Sequence, residues 1–159
     1  MVVLSIPLIK GTRVLVTAGA SGIGLRIAEV FAEAGASILI CDSSDSMLNS
    51  CQKDHPDWLY VKCNVSDEGD VTRLFNVTRE RLGGLDILVN NAGIAGPTGG
   101  IDELSSESWL ETVNINLNGQ FYCAKLAVPL LRASSNPSII AISSVAGRLG
   151  YAYRTPYAA

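Results

Sequence analysis

Charge of either sign is scarce in this sequence and nowhere concentrated. Lys and Arg number 12 against 15 Asp and Glu, for a formal net charge of −3, and charged residues make up 17% of the 159. With no Lys/Arg block, neither nucleic acid nor an anionic membrane surface is expected as a partner. Histidine occurs once, at His55, and the four cysteines, Cys41, Cys51, Cys63 and Cys123, form no C-x-x-C pair. No zinc-ligand spacing is present, so no metal site is expected, and reduced thiols in a cytoplasmic protein are the reading. Long apolar runs are missing as well. The stretch Val2–Ile9 is too short to cross a bilayer, contains Pro7 and has no basic leader, so neither a membrane span nor a signal peptide is expected. What is present is 48% apolar residues, enough for one globular domain with a real core.

Short β-branched runs alternate with longer amphipathic stretches. Strands are expected at 13–17, 37–41, 58–63, 85–90 and 138–143. Between them, 22–35 has helical spacing with Ile23, Ile27, Val30, Phe31 and Ala34 on one face, and Gly35 supplies a stop. A short polar helix carries Met47 and Leu48 and ends before Pro56. Ser66 offers an N-cap to a helix that runs to about Leu82 and stops at Gly83-Gly84. Ile94 to Leu104 reads as a loop. Ser105 or Ser106 opens a long helix to about Arg132, and Pro156 sits in the first turn of another. Nearly all-apolar strands alternating with helices imply a parallel sheet covered on both faces. The fold class is therefore α/β, a doubly wound, Rossmann-type sheet of about five strands, with 1–159 a single dinucleotide-binding domain.

The first strand runs directly into Thr17-Ala-Gly-Ala-Ser-Gly-Ile-Gly24, where a helix begins. A phosphate seeks backbone N–H donors and the positive end of a helix, and glycines let the backbone approach it. This segment resembles the T-G-x-x-x-G-x-G signature of the short-chain dehydrogenases/reductases. Thr17, Gly22 and Gly24 match it, and Ala18 stands where the first glycine is usual. The resemblance implies that Thr17, Ala18, Ser21, Gly22, Ile23 and Gly24 cradle the cofactor.

Asp42 closes the second strand, and an acid there can accept hydrogen bonds from the ribose hydroxyls and would repel a 2′-phosphate. Family members that use NADP usually carry a basic residue at the positions held here by Ser21 and Ser43. NAD is thus the expected cofactor, with NADP disfavoured. Asn64 and Val65 follow the third strand, where the family usually has Asp-Val against the adenine. Asn90-Asn-Ala-Gly93 resembles the family's N-N-A-G element, which places Asn91, Ala92 and Gly93 beneath the adenosine.

The catalytic residues implied by the resemblance are Asn116, Ser144 and Tyr157. Asn116 lies three residues before Gly119 and would hold a water in a proton relay, with Asn114 and Asn118 as rivals. Ser144, with Ser143 its rival, would hydrogen-bond the substrate oxygen. Tyr157 would be the acid/base. The family's lysine falls four residues later, at position 161, past Ala159. The last strands, their helices and the substrate lid are likewise expected beyond 159, which would leave the fifth strand an open edge and make an isolated 1–159 chain unstable and inactive. The implied activity is hydride transfer between NAD and an alcohol or carbonyl, on a small-molecule substrate bordered by 94–104 and 145–155. Leu149, Tyr151 and Tyr153 lend that border apolar character. A homodimer or homotetramer is implied for the complete protein. The alternatives are a non-catalytic NAD-binding or sensor protein on the same fold and a sugar-nucleotide epimerase-like enzyme, whose loop spacing differs from this one.

Overall fold

The structure is a computed structural model and describes residues 10–159; the stretch 2–9 lies outside the described residues. Five strands form one sheet: β1 (Arg13–Thr17), β2 (Ser37–Asp42), β3 (Leu59–Lys62), β4 (Ile87–Asn90) and β5 (Ser138–Ala141). All pairings are parallel and the order is β3-β2-β1-β4-β5. The chain therefore winds outward from β1 in one direction and then in the other, and the reversal falls between β1 and β4. A crevice opens at the carboxyl ends of the strands at such a point. The helices packed on the two sides include α1 (Gly22–Glu33), α3 (Glu68–Val77) and α5 (Gly119–Leu131), with α2 (Asp45–Asp54), α4 (Ser106–Val113) and α6 (Thr155–Ala158) between and after them.

Alternation along the strands divides the core into two layers. Leu15, Leu39, Cys41 and Leu88 point to one face and pack with Val71, Leu74 and Phe75 of α3 and with Cys123, Ala127 and Leu131 of α5. Val14, Val16, Ile38, Ile40 and Val89 point to the other and pack with Ala28 of α1 and with Leu48 and Cys51 of α2. Burial on both faces is why these strands are apolar at every position rather than at alternate ones. β5 is different: it is an outer strand, like β3, and all four of its residues are exposed.

Three local expectations need correction. The seam of α1 runs through Gly24 and Ala28, both buried, with Leu25, Ile27, Phe31 and Ala32 flanking it. Ile23 and Val30, expected on the inner face, are 67% and 40% exposed. Small residues one turn apart let the helix backbone settle close to the sheet, which moves the contact line away from the larger side chains. The cap of α3 is Asp67, whose carboxylate accepts from the N–H of Asp70 at 2.8 Å. Ser66 cannot serve there because its N–H and hydroxyl both donate to Asn64 Oδ1, at 3.1 and 2.8 Å. Finally, the long helix from Ser106 to Leu131 is not uniform: residues 114–118 form a π-helical turn between α4 and α5. A second π turn, Thr78–Leu82, extends α3 and ends at Gly83, whose φ is +76°.

The amino-end edge of the sheet is tied by one ion pair. Arg13 Nε and Nη2 donate to the two oxygens of Asp86 at 2.9 and 2.8 Å, Ser134 Oγ donates to the same carboxylate at 2.6 Å, and Arg13 Nη1 donates to Gly83 O at 2.6 Å. These contacts join β1, the turn before β4 and the segment before β5. The Arg13 guanidinium, with help from the Ser134 hydroxyl, holds the Asp86 carboxyl well below the usual carboxylate range.

Candidate dinucleotide and catalytic site

The turn after β1 is shaped by what cannot fit there. A Cβ on Gly19 would lie 2.7 Å from Ile40 Cγ2, and one on Gly24 would lie 2.3 Å from Ala18 O and 2.5 Å from Asn91 Nδ2. Ala18 has φ +47°, a left-handed conformation that costs a residue with a β-carbon roughly 1–2 kcal/mol. Cross-links from Asn91, just after β4, and from Cys41 of β2 hold it there. Asn91 Nδ2 donates to Thr17 O at 2.9 Å and to Ala18 O at 3.1 Å, and Gly19 N donates to Cys41 O at 3.0 Å. The turn then delivers α1 with Ser21 at its N-cap, no side-chain cap bond and no acid in its first turn. An uncapped positive helix end beside a glycine turn is a site for a phosphate.

From this turn a cleft opens across the carboxyl ends of β1, β2 and β4. Ala18, Asp42, Ser43, Cys63, Asn64, Val65, Ala92, Gly93, Ile94 and Ile115 line it. Among the residues expected at the cofactor, Ala18, Asp42, Asn64, Val65, Ala92 and Gly93 stand on its wall, while Ser21, Gly22, Ile23 and Gly24 make the helix start beside it. Thr17 and Asn91 are placed differently. Thr17 is 1% exposed, and its hydroxyl accepts from Asn91 N and Ala92 N, both at 2.9 Å. Both residues clasp β1 to β4 behind the wall. Asn64, expected to offer an acceptor oxygen, already shares that oxygen with Ser66.

Ser43, at the position that carries the NADP preference in the family, and Ile94, at the start of the expected substrate border, also line the cleft, as do Cys63 and Ile115, which were not expected. Cys63 adjoins an expected residue, Asn64, a signal the motifs do not extend to. Ile115 lies in the π turn. Val65 owes its place to a missing side chain: a Cβ on Gly119 would lie 2.7 Å from Val65 Cγ2, so α5 closes over Val65 only with glycine at that position.

Asn116 does not line the cleft but braces Ile94, a residue of its wall. Its Oδ1 accepts from Ile94 N at 2.8 Å and its Nδ2 donates to Ile94 O at 2.9 Å. The rivals, Asn118 and Asn114, bond to each other at 2.8 Å, so Asn116 is the member of the trio that meets the chain after β4. A carboxamide has two donors and two acceptor positions, and the two bonds to Ile94 take one of each. π turns recur at functional sites, and this one carries both Ile115 of the cleft wall and Asn116, which braces Ile94.

Ser144 follows β5, where Ile142 N continues the ladder by donating to Asn90 O at 2.8 Å. Its Oγ accepts from Ala146 N at 3.2 Å and opens the 3-10 turn Val145–Gly147. Tyr157 lies in α6, started by Pro156, with its N–H donating to Arg154 O at 3.1 Å. α6 packs on that 3-10 turn and on α4, which brings the carriers of Ser144 and Tyr157 together. The adjoining rim is cross-tied: Gly99 N donates to Tyr153 O and Arg154 Nη1 donates to Gly96 O, both at 3.0 Å. Among the described residues no group of three or more His, Cys, Asp or Glu could hold a metal, and no helix is long and apolar enough to cross a membrane.

Sheet order, glycine turn and crevice together define a Rossmann-type α/β domain. The family can be stated more narrowly. The family model described as short chain dehydrogenase matches residues 12–159, and the chain belongs to that family. Among similar proteins, L-fucose dehydrogenase of Bos taurus is 37% identical over 149 residues, covering 94% of this chain and 55% of the relative. Cis-4-hydroxycyclohexanecarboxylate dehydrogenase of Sinomonas cyclohexanicum is 34% identical over 148 residues, covering 91% and 59%. The solved structure of levodione reductase superposes with a TM-score of 0.87 at 30% identity, over 94% of this chain and 60% of that one. That of gox2181 has a TM-score of 0.89 at 28% identity, over 94% and 61%. The chain thus spans a little over half the length of the curated relatives it matches.

Proposed function

We propose that this chain carries the nucleotide-binding half and the acid/base side chains of an oxidoreductase that uses NAD on an alcohol or carbonyl substrate. The observation that carries the reading is the open cleft at the strand-order reversal, lined by Ala18 of the glycine turn, by Asp42, and by Ala92 and Gly93, with the uncapped start of α1 beside it. The residues fit a dinucleotide: N–H groups and a helix end for the pyrophosphate, a carboxylate for the ribose, and small residues, Ala92 and Gly93, under the adenosine. NAD when bound supplies the hydride acceptor or donor. Tyr157 passes a proton to or from the substrate oxygen, Ser144 hydrogen-bonds that oxygen, and Asn116 holds a water of the relay through its remaining donor or acceptor.

Asp42 supports NAD over NADP. Ser44 N takes one acceptor position of its carboxylate, at 3.0 Å, and the others remain for ribose hydroxyls. A 2′-phosphate would meet that negative charge. The basic residue at Asp42's register on β3, Lys62, is ion-paired with Asp45. The substrate is a small molecule at the rim formed by 94–104 and 145–155, and the complete protein is a cytoplasmic homo-oligomer. Titration with NAD and NADP tests the reading. NAD is expected to bind at least roughly tenfold more tightly, and Asp42→Ala to erase most of that margin, about 1.4 kcal/mol. Equal affinities in the unchanged chain would overturn the NAD assignment. Tight NAD binding by the complete protein without turnover of any alcohol or ketone would favour the sensor alternative.

A further inference from the structure

The turn after β3 uses its acceptors internally and leaves donors free. Four of the five backbone N–H groups from 63 to 67 are bonded within the protein. Cys63 N donates to Asp42 O at 2.9 Å, Asn64 N to Asp70 Oδ2 at 2.9 Å, Ser66 N to Asn64 Oδ1 at 3.1 Å and Asp67 N to Asn64 O at 3.0 Å. The fifth, Val65 N–H, has no partner among the described residues, although Val65 is only 6% exposed. A buried N–H left open in a residue of a cleft wall points to a ligand. The same turn orients the Asn64 amide. Ser66 N–H can only donate, so the side-chain atom it meets is the oxygen, and the Ser66 hydroxyl donates to that oxygen as well, at 2.8 Å. Both acceptor positions of Oδ1 are thereby filled, and the Nδ2 donors have no partner among the described residues. Asn64 and Val65 both line the cleft.

We propose that this turn is the base subsite of the cleft and reads the acceptor edge of a purine, so that a dinucleotide carrying hypoxanthine in place of adenine binds at least as tightly as NAD. This rests on the dinucleotide reading of the same cleft. With the pyrophosphate at the start of α1, after β1, and the ribose at Asp42, at the end of β2, the base extends one strand further, about 4.8 Å. That brings it to the turn after β3, the outer strand on that side. Adenine shows an acceptor, N7, beside a donor, its 6-amino group, whereas a 6-oxopurine shows two acceptors, N7 and O6. Two donors, Val65 N–H and Asn64 Nδ2, match the second pattern at both positions. Against adenine, one of them faces another donor, and Asn64 Oδ1 is already filled. The Asp70 carboxylate, which could receive the amino hydrogens, is bonded to Asn64 N, paired with Arg73 and off the wall. Ser43, on the wall beside Asp42, has a hydroxyl that can donate or accept and does not set the polarity.

Calorimetric titration of the complete protein with NAD and with nicotinamide hypoxanthine dinucleotide is the test, and Asn64→Asp is the isosteric switch. That change puts an oxygen where Nδ2 stands, keeps an acceptor for Ser66 and turns the donor toward the base into an acceptor. Its added charge bears equally on both dinucleotides, so the ratio of their affinities isolates the base. The unchanged protein is expected to bind the hypoxanthine dinucleotide at least as tightly as NAD, and Asn64→Asp to shift the ratio roughly tenfold toward NAD. A purely structural role of Asn64 would weaken both dinucleotides alike and leave the ratio where it was. Tighter binding of NAD by the unchanged protein, or an unchanged ratio in Asn64→Asp, overturns the proposal while the cofactor reading stands. Should the variant bind neither, the ratio in the unchanged protein decides alone. If the unchanged protein binds neither dinucleotide, the cofactor reading itself has failed, and this proposal falls with it.

Discussion

The two ends of the candidate site are built in opposite ways. At the nucleotide end, backbone shape does the work: Gly19 and Gly24 have no room for a Cβ, Ala18 is held left-handed, and Thr17 is buried as the clasp between β1 and β4. At the candidate catalytic end, side chains do the work: Asn116 is held by both backbone groups of Ile94, and Ser144 opens the 3-10 turn on which α6 packs. A phosphate site made of backbone can be completed by the first strand, turn and helix, because its donors are the chain itself. A proton-transfer site needs distant side chains brought to one point, so its precision depends on packing from several elements.

That contrast predicts a graded response to substitution. The largest effect is expected from Gly24→Ala. The new Cβ would displace Ala18 O or Asn91 Nδ2, costing about 2–3 kcal/mol of stability by overpacking. A comparable loss in binding would weaken NAD roughly 100-fold; denaturant melts and NAD titration measure the two. Retention of near-native NAD affinity would mean that the turn does not shape the site.

Asp86→Ala separates stability from binding, because the Arg13 pair lies at the opposite edge of the sheet. Its loss removes charge-assisted bonds from a partly exposed pair and is expected to cost about 2 kcal/mol with NAD affinity unchanged. The pH dependence has a definite sign. The Asp86 carboxyl is depressed in the folded chain, so its contribution is complete above the ordinary carboxylate value of about 4 and fades as pH falls through the lower folded value. Melting midpoints of the unchanged chain and of Asp86→Ala should therefore converge in strong acid and separate above that value.

Thr17→Val keeps the shape but leaves the N–H groups of Asn91 and Ala92 without their acceptor. About 1–2 kcal/mol of stability is expected to go, with a smaller loss of NAD affinity, since the clasp lies behind the wall and not on it. Ser144→Ala sharpens the comparison from the other side. One 3.2 Å cap bond to Ala146 N is lost, costing about 0.5–1 kcal/mol and leaving NAD binding intact, while turnover by the complete protein falls roughly 100-fold as an oxygen-stabilising donor disappears.

The nucleotide end was also the more legible in the sequence. The glycine turn, Asp42 and the N-N-A-G element are contiguous, and strands buried on both faces read as unbroken apolar runs. What stayed hidden depends on contacts across the fold. Thr17 and Asn91 look like ligand residues in a motif, yet their polar atoms reach each other's strand. The π turn at 114–118 has no periodicity of its own to distinguish it from the flanking helix, although it carries both Asn116, which braces Ile94, and Ile115 of the cleft wall. Ser66 and Asp67 are both good caps by type, and the choice falls to Asp67 because Asn64 takes the Ser66 hydroxyl. The inner face of α1 was misjudged because size, not hydrophobicity alone, sets how closely a helix can approach a sheet.

The central claim is that the turn leaving β1 holds a dinucleotide whose reactive ring meets Tyr157. A crystal structure of the complete protein with NAD bound tests it most directly. The account predicts the pyrophosphate on the N–H groups of residues 19–24, the adenosine between Asp42 and Val65, and the Tyr157 hydroxyl within hydrogen-bond reach of the substrate position beside the nicotinamide. NAD seated elsewhere, or a Tyr157 hydroxyl out of reach of that position even through one water, would contradict it.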